Sequence, residues 1–142
     1  MKWLLDADVL SQPARRGSDP RVVTWLREEE DRCSTSAIVI GQLAYWVRTR
    51  QGRQRTLLQA WLRKLVDSLE GKILGFNVAI AYVWAGQKTA LESTGERMPI
   101  EDSYIAATAR RHNLTIVAGN DKDFRRPGLK VFNPFKENSA SE

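Results

Sequence analysis

Short β-prone runs alternate with longer segments of helical period along the whole of this chain, and that alternation leaves few folds open. Trp3-Leu4-Leu5, Cys33-Ser34-Thr35-Ser36, Lys72 to Phe76, Leu114 to Val117 and Leu129 to Phe132 are the β-prone runs. Between them, Ser18-Asp19-Pro20 opens a helix with a capping residue followed by proline, and its core face carries Val22, Val23, Leu26 and Trp25. Ile40, Leu43, Ala44 and Val47 recur at helical spacing. The clearest helix spans about Gln54 to Leu69, where Leu57, Leu58, Trp61, Leu62, Leu65, Val66 and Leu69 make one apolar face. Asn77 caps a further helix through Val78, Ala81, Tyr82 and Ala85, and Pro99 begins the last, with Ile105, Ala106 and Ala109. Strand–helix–strand succession of this kind predicts a mostly parallel sheet covered by helices. No repeat or linker divides the chain, so residues 1–135 are expected to form one domain. The polar residues 136–142 are expected to be a disordered tail.

Function in such sheets gathers outside the carboxyl ends of the strands. Asp6 stands directly after the first β-prone run, and the turn from Asn120 to Asp123 follows the fourth. An acid ending a buried strand is unusual enough to favour a functional reading. The other acids each have a structural explanation: Asp102 complements the dipole of its helix, while Asp121 and Asp123 suit a turn. Their shared edge is what raises the expectation of a site.

Several chemistries are excluded or unsupported. The chain lacks a G-x-S-x-G elbow, a P-loop and a dinucleotide glycine fingerprint. One cysteine, Cys33, and one histidine, His112, cannot build a structural zinc site or an intrachain disulfide. His112 sits at an expected helix C-terminus, where it favours the dipole. What remains is oxygen chemistry from Asp6, Asp8, Glu101, Asp102, Asp121 and Asp123, a donor set suited to Mg2+ or Mn2+. The formal charge of +5 favours an anionic partner. Arg48, Arg50, Arg53 and Arg55 cluster, as either a solvated helix end or a phosphate-binding patch. No apolar run is long enough to span a membrane, and Asp6 interrupts the opening run too early for a secretory leader. A cytoplasmic protein is the expectation.

Four blocks, in order, carry a family resemblance. Leu4-Leu5-Asp6-Ala7-Asp8-Val9-Leu10-Ser11 resembles L-L-D-T-N-V-L-S, and Ser36-Ala37-Ile38-Val39-Ile40-Gly41-Gln42-Leu43 resembles S-x-I-T-x-G-E-L. Pro99 to Ala109 is similar to P-x-x-D-x-x-I-A-A-T-A. Asn120-Asp121-Lys122-Asp123-Phe124 with Val131-Phe132-Asn133-Pro134-Phe135 resembles N-x-x-D-F followed by V-x-N-P-W. These are the motifs of PIN-domain ribonuclease toxins of the VapC type, from bacterial VapBC toxin–antitoxin pairs. The resemblance implies a PIN-like α/β/α sandwich with a central, mainly parallel sheet. It implies a metal-dependent endoribonuclease in which Asp6, Gln42, Asp102 and Asn120 hold the catalytic positions. Asp6, Asp102 and Asn120 are then the metal-binding residues for Mg2+ or Mn2+, with Asp8 and Asp123 in support. Arg15, Arg16, Arg48, Arg125 and Arg126 become candidates for drawing the RNA backbone close. It also implies a cognate VapB-type antitoxin, operator DNA contacted only through that antitoxin, and a homodimer within a larger complex. The helices bearing Trp25, Tyr45, Trp46 and Trp61 are candidates for such contacts, with Trp61 the most core-like.

Gln42 departs from the pattern, standing where the resemblance places Glu. The amide keeps the shape and one carbonyl acceptor but loses the charge, so it is a weaker ligand and no general base. Two consequences are open. Either the exchange silences the nuclease, as a Glu-to-Gln substitution made to disarm a toxic enzyme would, or Asp8 restores a carboxylate nearby. Ala7 in place of Thr is expected to tune the site at most. The alternative from another class is a non-catalytic PIN-like module that binds antitoxin or RNA. A self-sufficient DNA-binding repressor is disfavoured by the lack of a helix-turn-helix pattern.

Overall fold

In the computed structural model, which describes residues 1–137, five strands lie in the order β3-β2-β1-β4-β5 and every pairing is parallel. They are β1 (Trp3–Leu5), β2 (Cys33–Ser36), β3 (Ile73–Leu74), β4 (Thr115–Val117) and β5 (Val131–Phe132). Every residue of β1, β2 and β4 is buried, as expected of strands covered on both faces. The helices are α1 (Ala7–Leu10), α2 (Pro20–Glu29), α3 (Ala37–Arg48), α4 (Gly52–Ser68), α5 (Val78–Ser93) and α6 (Ile100–His112). The predicted α/β sandwich with a parallel sheet is therefore the fold.

The β2 sequence, Cys-Ser-Thr-Ser, is polar for a fully buried strand, and its hydroxyls explain the choice. Ser34 Oγ donates to the Trp3 carbonyl at 2.7 Å and Thr35 Oγ1 to the Leu5 carbonyl at 2.8 Å. Ser36 Oγ accepts from the Ile38 and Val39 amides and so caps α3. In α2, Asp19 caps through the Arg21 amide and Pro20 fills the first turn, as the sequence predicts. Helix α6 buries Ile105, Ala106, Ala107 and Ala109; its small residues let the helix lie close against its neighbours. It ends on Asn113, whose φ of 55° is the left-handed conformation that asparagine tolerates.

Some expectations need correction. Leu57 is 58% exposed and does not belong to the buried face of α4. At 3.6 residues per turn it lies roughly 85° from the centre of the Leu58–Trp61–Leu65–Leu69 stripe. Trp25 lies in the core, as its place on the face of α2 predicts, and so is not an interface candidate: its ring meets Trp3 edge-on at 5.2 Å and Phe132 at 5.5 Å. Trp46 and Trp61 are half-buried and pack edge-to-face at 6.3 Å, whereas Tyr45 is 72% exposed. β3 and β5 are two residues each, shorter than the β-prone runs. The one-turn helix α1 and the 3-10 turns at Gln12–Ala14, Glu30–Arg32 and Asp121–Asp123 have no periodicity to announce them. Of the expected tail, Lys136 and Glu137 bond back to Asn133 through their amides, and residues 138–142 lie outside the described residues.

The strand order locates the site. From β1 the chain builds outward through β2 and β3, then returns across the sheet to place β4 on the other side of β1. The connections leaving β1 and β4 therefore diverge and open a crevice at their carboxyl ends.

Candidate active site

Two of the expected residues are delivered by that crevice. Asp6 follows β1 at the N-cap position of α1, and its amide donates to the Val117 carbonyl of β4 at 2.9 Å. Its side chain makes no capping bond, so the buried carboxylate is free for the cleft. Burial pushes Asp6 up to about 7, with the charges of Asp8 and Asp102 adding to the effect against the Ala7 amide. Asp102 comes from the first turn of α6 and is pushed up to about 6 by burial, Asp123, Glu101 and Asp8. Asp6 and Asp102 thus share a site with too little positive charge.

Asp8 has a different task. Its Oδ2 accepts from the Gly119 amide at 2.9 Å and the Asn120 amide at 3.0 Å, pinning the loop after β4 to α1. Burial raises its pKa, while those amides and Arg15 pull it down. Gly119 is required here by close approach: an added Cβ would lie 2.7 Å from Asp8 Oδ2 and 2.8 Å from the Phe135 ring. Asn120 reaches the cleft from the same loop, and its Nδ2 donates to Asp123 Oδ2 at 3.0 Å, leaving the carbonyl oxygen as its free end.

Gln42, on α3, lies across the cleft from these loops. Its Nε2 donates to Glu101 Oε1 at 2.8 Å, although 59 residues separate the two in sequence. Among the described residues neither Gln42 Oε1 nor Asp8 Oδ1 has a hydrogen-bond partner, and both atoms are buried. The cleft holds about 760 Å³ and is lined by Asp6, Asp8, Gln42, Glu101, Asp102 and Asn120, with Arg15, Tyr45 and Tyr104 around them.

Arg15 is the arginine of this lining. Its Nε donates to Ser11 Oγ at 2.7 Å and its guanidinium lies 4.3 Å from the Trp46 ring centre. The other arginines considered are elsewhere. Arg125 pairs with Asp121 and Glu137, and Arg126 with Glu96. Arg48 faces the groove between α3 and α4, and Arg16 is exposed outside the cleft lining. Asp121 also leaves the site: burial raises its pKa, but the bond and charge of Arg125 outweigh that and hold it below the usual range. His112 ends α6 and is exposed, as the dipole argument expects.

Among the described residues, no three Asp, Glu, His or Cys side chains close tightly enough to enclose an ion by themselves. Oxygen donors in an open cleft nonetheless suit Mg2+ or Mn2+, which retain water ligands. The two unpartnered buried oxygens, on Asp8 and Gln42, are what a cation and its waters would satisfy.

The PIN domain model matches residues 3–129, and the chain belongs to the PIN-domain family. Within that family its likeness is to the VapC-type toxins. It is 33% identical to toxin FitB of Neisseria gonorrhoeae over 138 residues, covering 94% of this chain and 99% of that one. A VapC ribonuclease of Sinorhizobium fredii is 26% identical over 136 residues, covering 94% and 97%. Among solved structures, the FitA–FitB complex from Neisseria gonorrhoeae superposes with a TM-score of 0.88 at 32% identity, covering 95% of this chain and 99% of that one. The FitAB complex bound to a DNA fragment gives 0.88 at 29% identity, with 96% and 97% covered.

Proposed function

We propose that this chain is the toxin of a toxin–antitoxin pair and acts as an endoribonuclease dependent on Mg2+ or Mn2+. The observation that carries this reading is the cleft at the switch point, where Asp6 and Asp102, both raised chiefly by burial, gather with other acids beside unpartnered buried oxygens. Asp6, Asp102 and the carbonyl end of Asn120 are the residues to hold the cation. Bound there, it would lower the pKa of a water and offset charge building on the phosphoryl group. Asp8 sets the distance between the β1 and β4 loops, and Asp123 turns Asn120 to present its oxygen. Arg15, held against Trp46, counters the repulsion between the acids and the RNA backbone.

The proposed partner is an antitoxin, with DNA reached through it, since the relatives solved at 29% and 32% identity are FitA–FitB complexes, one of them bound to DNA. Exposed Tyr45 and Phe76, the latter edge-on to Tyr104 at 5.1 Å, offer apolar surface beside the cleft for it. A homodimer in that assembly is part of the same proposal. No helix among the described residues is long and apolar enough to cross a membrane.

A second reading is favoured by one residue. Gln42 leaves the α3 side of the cleft without a carboxylate of its own, as a binding module that no longer cuts would have it. Cleavage of a structured RNA pool with Mn2+ separates the readings, using this chain, Gln42→Glu and Asp6→Ala. Cutting by this chain that EDTA and Asp6→Ala abolish supports the nuclease. Cutting by Gln42→Glu alone marks a nuclease silenced at one residue. No cutting by either, with both binding a helical antitoxin peptide, establishes the module.

A further inference from the structure

We infer that Glu101 supplies the negative charge that Gln42 lacks, and that it holds the Gln42 amide with its carbonyl oxygen turned into the cleft. The inference rests on the cation site proposed above and concerns which residues of this chain complete it. A carboxylate only accepts hydrogen bonds, so Glu101 Oε1 at 2.8 Å obliges Gln42 to present its NH2 group on that side. The carbonyl oxygen then faces the other way, and Gln42 Oε1 is the atom found buried with no partner among the described residues. An amide oxygen is a competent but uncharged ligand for a hard cation. The missing charge is one side chain away, on Glu101, which lines the same cleft and is itself exposed.

The helix geometry makes this division of labour possible. Glu101 and Asp102 are consecutive in the first turn of α6, so their Cβ atoms point about 100° apart. The short Asp102 side chain serves the cleft from its own position, while the longer Glu101 reaches sideways to α3. One turn of one helix thereby offers two carboxylates to two sides of the crevice. Gln42 is in this view a working part of the site: a neutral ligand whose orientation and charge balance come from its neighbour. Glu101 is a positioning residue, because it acts through Gln42.

Mn2+ affinity, measured by calorimetry on the full-length chain, tests this without reference to turnover. Four proteins are compared: the unaltered chain, Glu101→Gln, the swap Gln42→Glu/Glu101→Gln, and Asp6→Ala. Glu101→Gln keeps the side-chain length and removes the charge, and it is expected to weaken Mn2+ binding about 10- to 100-fold. The swap moves the same charge from α6 to α3 and is expected to restore affinity. Circular dichroism checks that all four proteins are folded, and thermal melting that each remains so at the temperature of the titration. Glu101→Gln binding as tightly as the unaltered chain overturns the inference while Asp6→Ala still upholds the site. A swap that restores nothing also overturns it, since charge at this corner would then not be interchangeable. If the unaltered chain binds no Mn2+, the cation site and this inference fall together.

Discussion

Replacing Asp6 by Asn should stabilise the protein in EDTA, and the gain should grow with pH. The buried carboxylate is pushed from 3.8 up to about 7 by burial first and by Asp8 and Asp102 after it. A carboxyl whose pKa is raised on folding binds its proton more tightly in the folded state. Its contribution is therefore fully favourable below pH 3.8 and is lost progressively as pH rises towards about 7. Above that window the folded protein carries a buried, poorly compensated charge. A shift of about three units corresponds to an upper limit of about 4 kcal/mol at roughly 1.4 kcal/mol per unit. Water entering the open cleft and movement of Asp8 reduce this, so a gain of about 1–3 kcal/mol at pH 8 is expected from Asp6→Asn. At pH 4 the gain should nearly vanish, because the native carboxyl is then largely neutral. Urea unfolding in EDTA at pH 4, 6 and 8 measures both proteins. Mn2+ should reverse the order at pH 8 by stabilising the unaltered chain in step with the logarithm of its concentration above Kd. Equal stabilities at all three pH values, or a loss on substitution at pH 8, would refute the claim that Asp6 sits under electrostatic stress.

Three further outcomes follow from the geometry. Gly119→Ala sets a Cβ 2.7 Å from Asp8 Oδ2 and 2.8 Å from the Phe135 ring, so one of them must move. A stability loss of about 1–3 kcal/mol in urea unfolding is expected, together with weaker Mn2+ binding as the Asp8 pin breaks. Arg15→Ala should weaken binding of a single-stranded RNA oligonucleotide in Ca2+ and flatten its salt dependence by about one phosphate contact, whereas Arg48→Ala should change neither; filter binding across salt concentrations distinguishes them. Buried Gln87 donates to the Ser103 carbonyl and accepts from Arg110 Nε, each at 2.8–2.9 Å, clamping α5 to α6. Gln87→Ala should cost about 1–3 kcal/mol in thermal or urea unfolding by stranding both partners.

The placing of Asp6 and of the Asn120 turn at one edge was legible because strand ends can be located from local pattern and a parallel sheet sends those ends to one side. Asp102, which pattern alone assigns to the helix dipole, and the part of Asn120 came from the motif resemblance. The order of the strands was not legible from pattern alone. Two-residue β3 and β5 are too short for periodicity to define, and their pairing depends on contacts between distant segments. Asp8 looked like a spare carboxylate for the metal. Its bonds to the Gly119 and Asn120 amides arise from the closure of β1 against β4, which no spacing encodes. Glu101 was read as one acid among several, and its contact with Gln42 joins α6 to α3 across 59 residues. Arginines were the least legible. Arg15, Arg125 and Arg126 are alike as letters, but Arg125 and Arg126 are consumed by ion pairs that appear only once the chain has folded. Leu57 shows the same limit for apolar residues: a helix's pattern sets a stripe, and its packing partners decide where the stripe ends.

The most direct measurement is the anomalous diffraction of crystals soaked in Mn2+. A peak in the cleft bounded by Asp6, Asp102 and Gln42, absent from Asp6→Asn crystals treated alike, is the predicted result. A cleft without anomalous density at Mn2+ concentrations that saturate binding in solution, or density only at a remote surface acid, would contradict the assignment of this crevice as the metal-dependent centre.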